Sequence, residues 1–85
     1  MQIVLHKRFK RRYKKLRALQ KQIDERLFLF AHNPFHPILN NHALIGKYKN
    51  YRSINITGDY RALYEPIARN KAFFVIVDTH SNLYK

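Results

Sequence analysis

A chain of 85 residues suffices for one small domain, 1–85; at this size roughly 60% of the unfolded surface can be buried, so nearly every apolar side chain must serve the core. A formal charge of +12 points to a polyanionic partner, while the lack of cysteine excludes a disulfide scaffold and a thiolate metal site. No apolar run can span a bilayer and Met1 to His6 is too short for a signal peptide, so the chain reads as soluble, unprocessed and cytoplasmic, with no membrane partner.

Ile3-Val4-Leu5 is a short β-branched run and predicts a first strand. From Lys7 to Asn33 there is neither glycine nor proline. Phe9, Tyr13 and Leu16 stand at helical spacing, and Ile23, Leu27 and Phe30 repeat it. The two stripes do not line up. Two antiparallel helices turning near Arg17-Ala18-Leu19 fit better than one rod, though periodicity alone leaves this open. Asn33-Pro34 ends the second helix, because the residue before proline avoids the helical region.

The first helix is densely basic. Lys10, Arg11 and Lys14, with their basic neighbours from Lys7 to Lys15, form either a solvated face or a surface for phosphate. Asn33 to Asn41 holds two prolines and predicts a loop. His32, His36 and His42 match no usual metal-ligand spacing, and no metal or other cofactor is expected.

Tyr51 to Thr57 alternates, with Arg52, Ile54 and Ile56 on one face and Tyr51, Ser53, Asn55 and Thr57 on the other. The isoleucines should meet the helices and Asn55 an open sheet face. Thr57-Gly58-Asp59 predicts a turn in which glycine is free to take a positive φ. Tyr60 to Glu65 returns, with Ala62 and Tyr64 packed and Arg61 and Leu63 open. Ala68 to Lys71 is a polar turn. Ala72 to Val77 is apolar on both faces, as a central strand should be, and it delivers Asp78-Thr79-His80 to the end of the sheet. The expected class is α+β, in the order β-α-α-β-β-β, with a helical hairpin on one face of a mainly antiparallel sheet.

The residues Leu44-x-Gly46, Tyr51-Arg52-Ser53 and Gly58-Asp59-Tyr60-Arg61-x-Leu63-Tyr64 resemble the RelE/ParE superfamily of bacterial toxins. His42 and the ending Thr79-His80-Ser81-Asn82-Leu83-Tyr84 resemble its YafQ branch. The resemblance supports the helical hairpin. It implies a toxin of a type II toxin–antitoxin system that cuts messenger RNA in the ribosomal A site without a metal, and that an acidic antitoxin neutralises in a hetero-oligomeric complex. The ribose 2′-hydroxyl is then the nucleophile, so the site needs a base, cations for the phosphate and an acid for the leaving oxygen.

By the resemblance, His80 and His42 are candidates for proton transfer, and a free imidazole suits that work. Asp59 matches the acid opening the second hairpin strand, Arg61 a phosphate-holding arginine, and Tyr84 an aromatic that could stack on a base. Lys47, Lys49 and Arg52 would add positive charge, although Arg52 can also point into the packed side. Asp59 could instead cap a turn, Arg61 pair with Glu65, and Tyr84 close the core. Three positions depart from the YafQ pattern. Asn55 replaces a histidine and can hold a phosphate oxygen but not exchange a proton, Ile76 replaces an arginine, and Asp78 a glycine, the last placing a negative charge close to the proposed phosphate site. A ParE-like gyrase inhibitor of the same fold, or a non-catalytic RNA-binding relic, are the competing readings.

Overall fold

The computed structural model describes residues 1–85. The elements are β1 (Gln2–Leu5), α1 (Lys7–Lys15), α2 (Gln20–His32), β2 (His42–Ala43), β3 (Arg52–Asn55), β4 (Tyr60–Ala68), β5 (Lys71–Thr79) and α3 (His80–Leu83). Short 3-10 turns lie at Arg17–Leu19, Pro37–Leu39 and Gly46–Tyr48. The five strands form one sheet in the order β1-β5-β4-β3-β2. Only the β1–β5 pair is parallel. The expected α+β class and helical hairpin are therefore present, with two elements added: the two-residue strand β2 and the short α3. No helix is long and apolar enough to cross a membrane.

The hairpin turns where the two apolar stripes fall out of phase, at Arg17–Leu19. Tyr13 Oη donates to Asp24 Oδ1 at 2.7 Å and ties α1 to α2. α2 stops at His32, one residue beyond which Asn33 leaves the helical region ahead of Pro34. The core lies between these helices and one sheet face. Phe9, Ile23 and Phe30 meet Ile54, Ile56, Ala62, Tyr64, Phe74 and Val77 there, all buried. Phe30 sits edge-on to Phe74 and to Tyr64, at 5.1 and 4.8 Å between centroids, a geometry that aromatic pairs favour.

β5 shows how its double-sided apolar pattern is used. The β4–β5 register slips by one residue at Val75, since Leu63 faces Ile76 and Tyr64 faces Phe74. The slip resets the alternation. Phe74 and Val77 thereby both reach the helix-side core, while Ile76 joins Leu63 and Leu83 in a second cluster on the opposite face. α3 covers part of the face expected to be open.

Two details differ from expectation. Gly58 does not adopt a positive φ; Asn40 (46°), Gly46 (71°) and Asn50 (81°) do. Thr57 Oγ1 accepts from the N–H groups of Asp59 at 3.2 Å and Tyr60 at 3.0 Å, and this side-chain clamp closes the turn without a left-handed residue. Strand β3 is shorter than Tyr51 to Thr57, and β4 runs on to Ala68, past Pro66, near which the pairing is again irregular.

Candidate functional site

A cavity of about 490 Å³ opens on the sheet face opposite the helical hairpin. His42 from β2, Ser53 from β3, Arg61 from β4, His80 from α3 and Tyr84 just beyond it all line it. These residues are far apart in sequence and come together only through the β2-β3-β4-β5 order.

His42 is exposed but held. Its Nδ1 lies 2.8 Å from the carbonyl oxygen of Asn40. A carbonyl only accepts, so in the neutral ring Nδ1 carries the proton and Nε2 is left with a free lone pair. Asn40 reaches this position by taking the left-handed conformation, which asparagine tolerates. Asn41 anchors the segment from behind. Its Nδ2 donates to Tyr64 Oη at 2.8 Å and to the Pro34 carbonyl at 2.9 Å, while its Oδ1 accepts from Arg52 Nε at 2.8 Å.

Arg61 is braced by the turn that precedes it. One nitrogen, Nη1, donates to the carbonyls of Thr57 (3.0 Å), Gly58 (3.2 Å) and Tyr60 (3.1 Å). Nε and Nη2 make no hydrogen bond within the chain and remain for an anion. There is no Arg61–Glu65 ion pair; the single ion pair of the structure lies elsewhere. Two free N–H edges on a fixed guanidinium suit a phosphate, which they can bind in bidentate fashion.

α3 is seated by its first residues. The His80 N–H donates to the Asp59 carbonyl at 2.8 Å, and Thr79 Oγ1 caps the helix by accepting from the Asn82 N–H at 3.1 Å. The His80 imidazole makes no hydrogen bond and packs at 4.7 Å from the Tyr84 ring. Tyr84 does not close the core, for it is 43% exposed. Burial and the neighbouring Tyr48 push its phenol above the usual tyrosine value, against the pull of Arg61. It therefore stays protonated at neutral pH and can donate or stack but not act as a base.

Other expected residues lie outside the cavity. Asp59 is exposed, and its backbone carbonyl rather than its carboxylate does the structural work. Arg52 belongs to the packed side, bound to Asn41 and lying over the Phe35 ring at 5.4 Å, so it adds no charge to the cavity. Lys47 sits over Tyr48 and borders a shallower hollow beside Tyr84, while Lys49 is exposed away from both. Lys10, Arg11 and Lys14 are exposed on α1. Of these only Arg11 lines the separate groove of about 310 Å³ that it forms with Arg8, Arg12, Lys15 and Asp78.

Sequence reading passed over three residues. Ser53 is 1% exposed at the cavity wall, and its Oγ has no partner. Its strand parity placed it on this face, but nothing local marked its hydroxyl as unpaired. Asn40 carried a weak signal, asparagine being a common left-handed residue. Arg12 looked like any other charge on the basic helix.

No family model matches the sequence, and no curated protein matches it. Solved structures do match. YafQ from E. coli strain BL21(DE3) superposes over 98% of this chain and 97% of its own, with a TM-score of 0.81 at 18% identity. The chain has the RelE/YafQ toxin fold. The E. coli DinJ-YafQ toxin–antitoxin complex matches with a TM-score of 0.78 at 18% identity, covering 98% of this chain and 96% of that one. A metal-bound toxin from Helicobacter pylori matches with a TM-score of 0.76 at 26% identity, covering 98% of each chain. In the present RelE/YafQ-like chain no three His, Asp or Glu side chains converge.

The three departures from the YafQ pattern take definite places in this fold. Asn55, expected on the open face as a phosphate-binding residue, does not line the cavity; it is the register partner of Arg61, and its Oδ1 is shut from solvent without a partner. Ile76 is buried in the second cluster. Asp78 does not present a free negative charge. Its Oδ1 accepts from Arg12 Nη2 (3.2 Å), the Thr79 N–H (2.8 Å) and Asn82 Nδ2 (3.1 Å). Burial raises its pKa, but these hydrogen bonds and the Arg12 charge outweigh burial and leave it below the usual carboxylate value.

Proposed function

We propose that this chain is the toxin of a type II toxin–antitoxin pair and acts as an endoribonuclease on messenger RNA in the ribosomal A site. The observation that carries the reading is the convergence of His42, Arg61, His80 and Tyr84 on one cavity. In the reaction, His42 Nε2 takes the proton of the ribose 2′-hydroxyl. The 2′ oxygen attacks phosphorus in line and the bond to the 5′ oxygen breaks. Arg61 Nε and Nη2 hold the non-bridging oxygens as charge grows on them. His80 hands a proton to the departing 5′ oxygen, leaving a 2′,3′-cyclic phosphate and a 5′-hydroxyl. Tyr84 stacks on a neighbouring base. Asp59, outside the cavity, is assigned no proton.

The charge of +12 supports docking on ribosomal RNA, with Lys10, Arg11, Lys14, Lys47 and Lys49 contributing affinity but not sequence choice. It also supports an acidic antitoxin as the neutralising partner, in keeping with the DinJ-YafQ complex. Such a protein has an apolar foothold at Ile45, which is 90% exposed on the cavity rim. The cytoplasm is the compartment in which these partners meet. Primer extension on a message under translation, with and without the protein, tests the proposal: new 5′ ends within codons are the expected result. Gyrase inhibition without such ends would replace it by the ParE-like reading.

A further inference from the structure

Arg61 on β4 and Asp78 on β5 are register partners, two pairs beyond Leu63 and Ile76, so both side chains leave the sheet on the same face as those two. Directly opposed residues of an antiparallel pair place their Cβ atoms about 4.5–5.5 Å apart, and opposite charges so placed attract. Yet these two do not pair. Arg61 turns Nη1 to the carbonyls of its own turn, while Asp78 accepts from Arg12. The Arg12–Asp78 contact is the one ion pair in the structure.

Arg12 can reach because β1 pairs only with Lys71 to Phe74. The second half of β5 has no strand on that side, and α1 packs beside β5 instead. The carboxylate is thereby drawn into the α1 groove, among Arg8, Arg11, Arg12 and Lys15, and away from the cavity that Arg61 lines.

We propose that Arg12 is a positioning residue: by engaging Asp78, it keeps the Arg61 guanidinium open for a phosphate. Without Arg12, the carboxylate keeps Arg8, Arg11 and Lys15 around its groove, but the cation directly opposite it in the sheet is Arg61, whose Nε and Nη2 are the groups Asp78 would occupy. The arrangement answers a charge particular to this chain, since the YafQ pattern has glycine at this position. Asn55, on the other side of Arg61, brings no competing charge. The inference rests on the reading of Arg61 as a phosphate donor, but not on cleavage.

The test titrates inorganic phosphate into the full chain and follows the Arg61 Nε–H signal by nitrogen-15 NMR. Arg12→Ala should weaken phosphate binding at Arg61 about tenfold or more, the scale of one charge-assisted hydrogen bond. Lys15→Gln, which removes a charge from the same groove without releasing Asp78, should weaken it less. Arg12→Ala with Asp78→Asn should bind close to the parent level. In single-turnover RNA cleavage, Arg12→Ala should add no further loss in an Arg61→Ala background. Undiminished binding in Arg12→Ala, no recovery in the double variant, or additive loss in the Arg61→Ala background would each overturn the proposal. If the parent protein cuts no message while the phosphate series behaves as described, the positioning role stands and the nuclease reading falls.

Discussion

His80→Ala isolates proton transfer from folding, because the structure gives the side chain so little else to do. The imidazole is exposed, makes no hydrogen bond, and touches mainly the Tyr84 ring. The contact that seats α3 runs from the His80 backbone N–H to Asp59, and alanine keeps it. Losing the aromatic contact costs about 0.5–1.5 kcal/mol at most, since the ring is open to water. A positioned acid or base is worth roughly 10²–10⁴ in rate. Single-turnover cleavage of a ribosome-bound message should therefore fall by that factor, while ribosome affinity and urea unfolding change little. Full activity in His80→Ala would refute the assignment of the acid. The leaving oxygen would then have to take its proton from His42 or from water.

The remaining predictions test other parts of the site. Arg61→Ala should lower cleavage by about 10²–10³ with the fold intact, and lysine should rescue little, because one ammonium cannot both satisfy the turn carbonyls and present two N–H groups to phosphate; global unfolding in a denaturant titration would reassign the residue to structure. Replacing Lys10, Arg11 and Lys14 by glutamine should flatten the log–log salt dependence of ribosome binding by about two to three units, at roughly 0.7–0.9 per contact; an unchanged slope would make that face merely solvated. The folded-state pKa of Asp78 is depressed, so its stabilisation is present above the ordinary carboxylate range and is lost as pH falls through the lowered value. The stability difference between the parent and Asp78→Asn should accordingly favour the parent at pH 7 and shrink toward acid in urea unfolding, whereas a constant difference would show that the charge plays no part.

Local rules carried much of this protein. The out-of-phase stripes Phe9-Tyr13-Leu16 and Ile23-Leu27-Phe30 placed the helical turn where it occurs, because burial on a helix follows the 3.6-residue period. The alternation of Arg52 to Ile56 assigned Ile54 and Ile56 to the core for the matching reason in a strand. Of the candidate site, His42, Arg61, His80 and Tyr84 could be named in advance because they fall within recognisable motifs. Their convergence could not, since it depends on β2 crossing to the sheet edge and on α3 folding back over β4.

Other features depend on non-local choices that no window of sequence encodes. The slip at Val75 sends Phe74 and Val77 to one face and Ile76 and Asp78 to the other, and pairing with β4 sets it. The turn at Gly58 relies on the Thr57 hydroxyl rather than on glycine's freedom. Arg52 could be a cavity cation or a packed-side residue on its sequence alone, and Asn41 and Phe35, brought against it by the fold, decide for the packed side. Asp78 looked like an intruding charge until α1, lying where a strand is missing, supplied Arg12. An ionic side chain acts through whichever opposite charge the fold brings within a few ångströms, and chain order says little about which one that is.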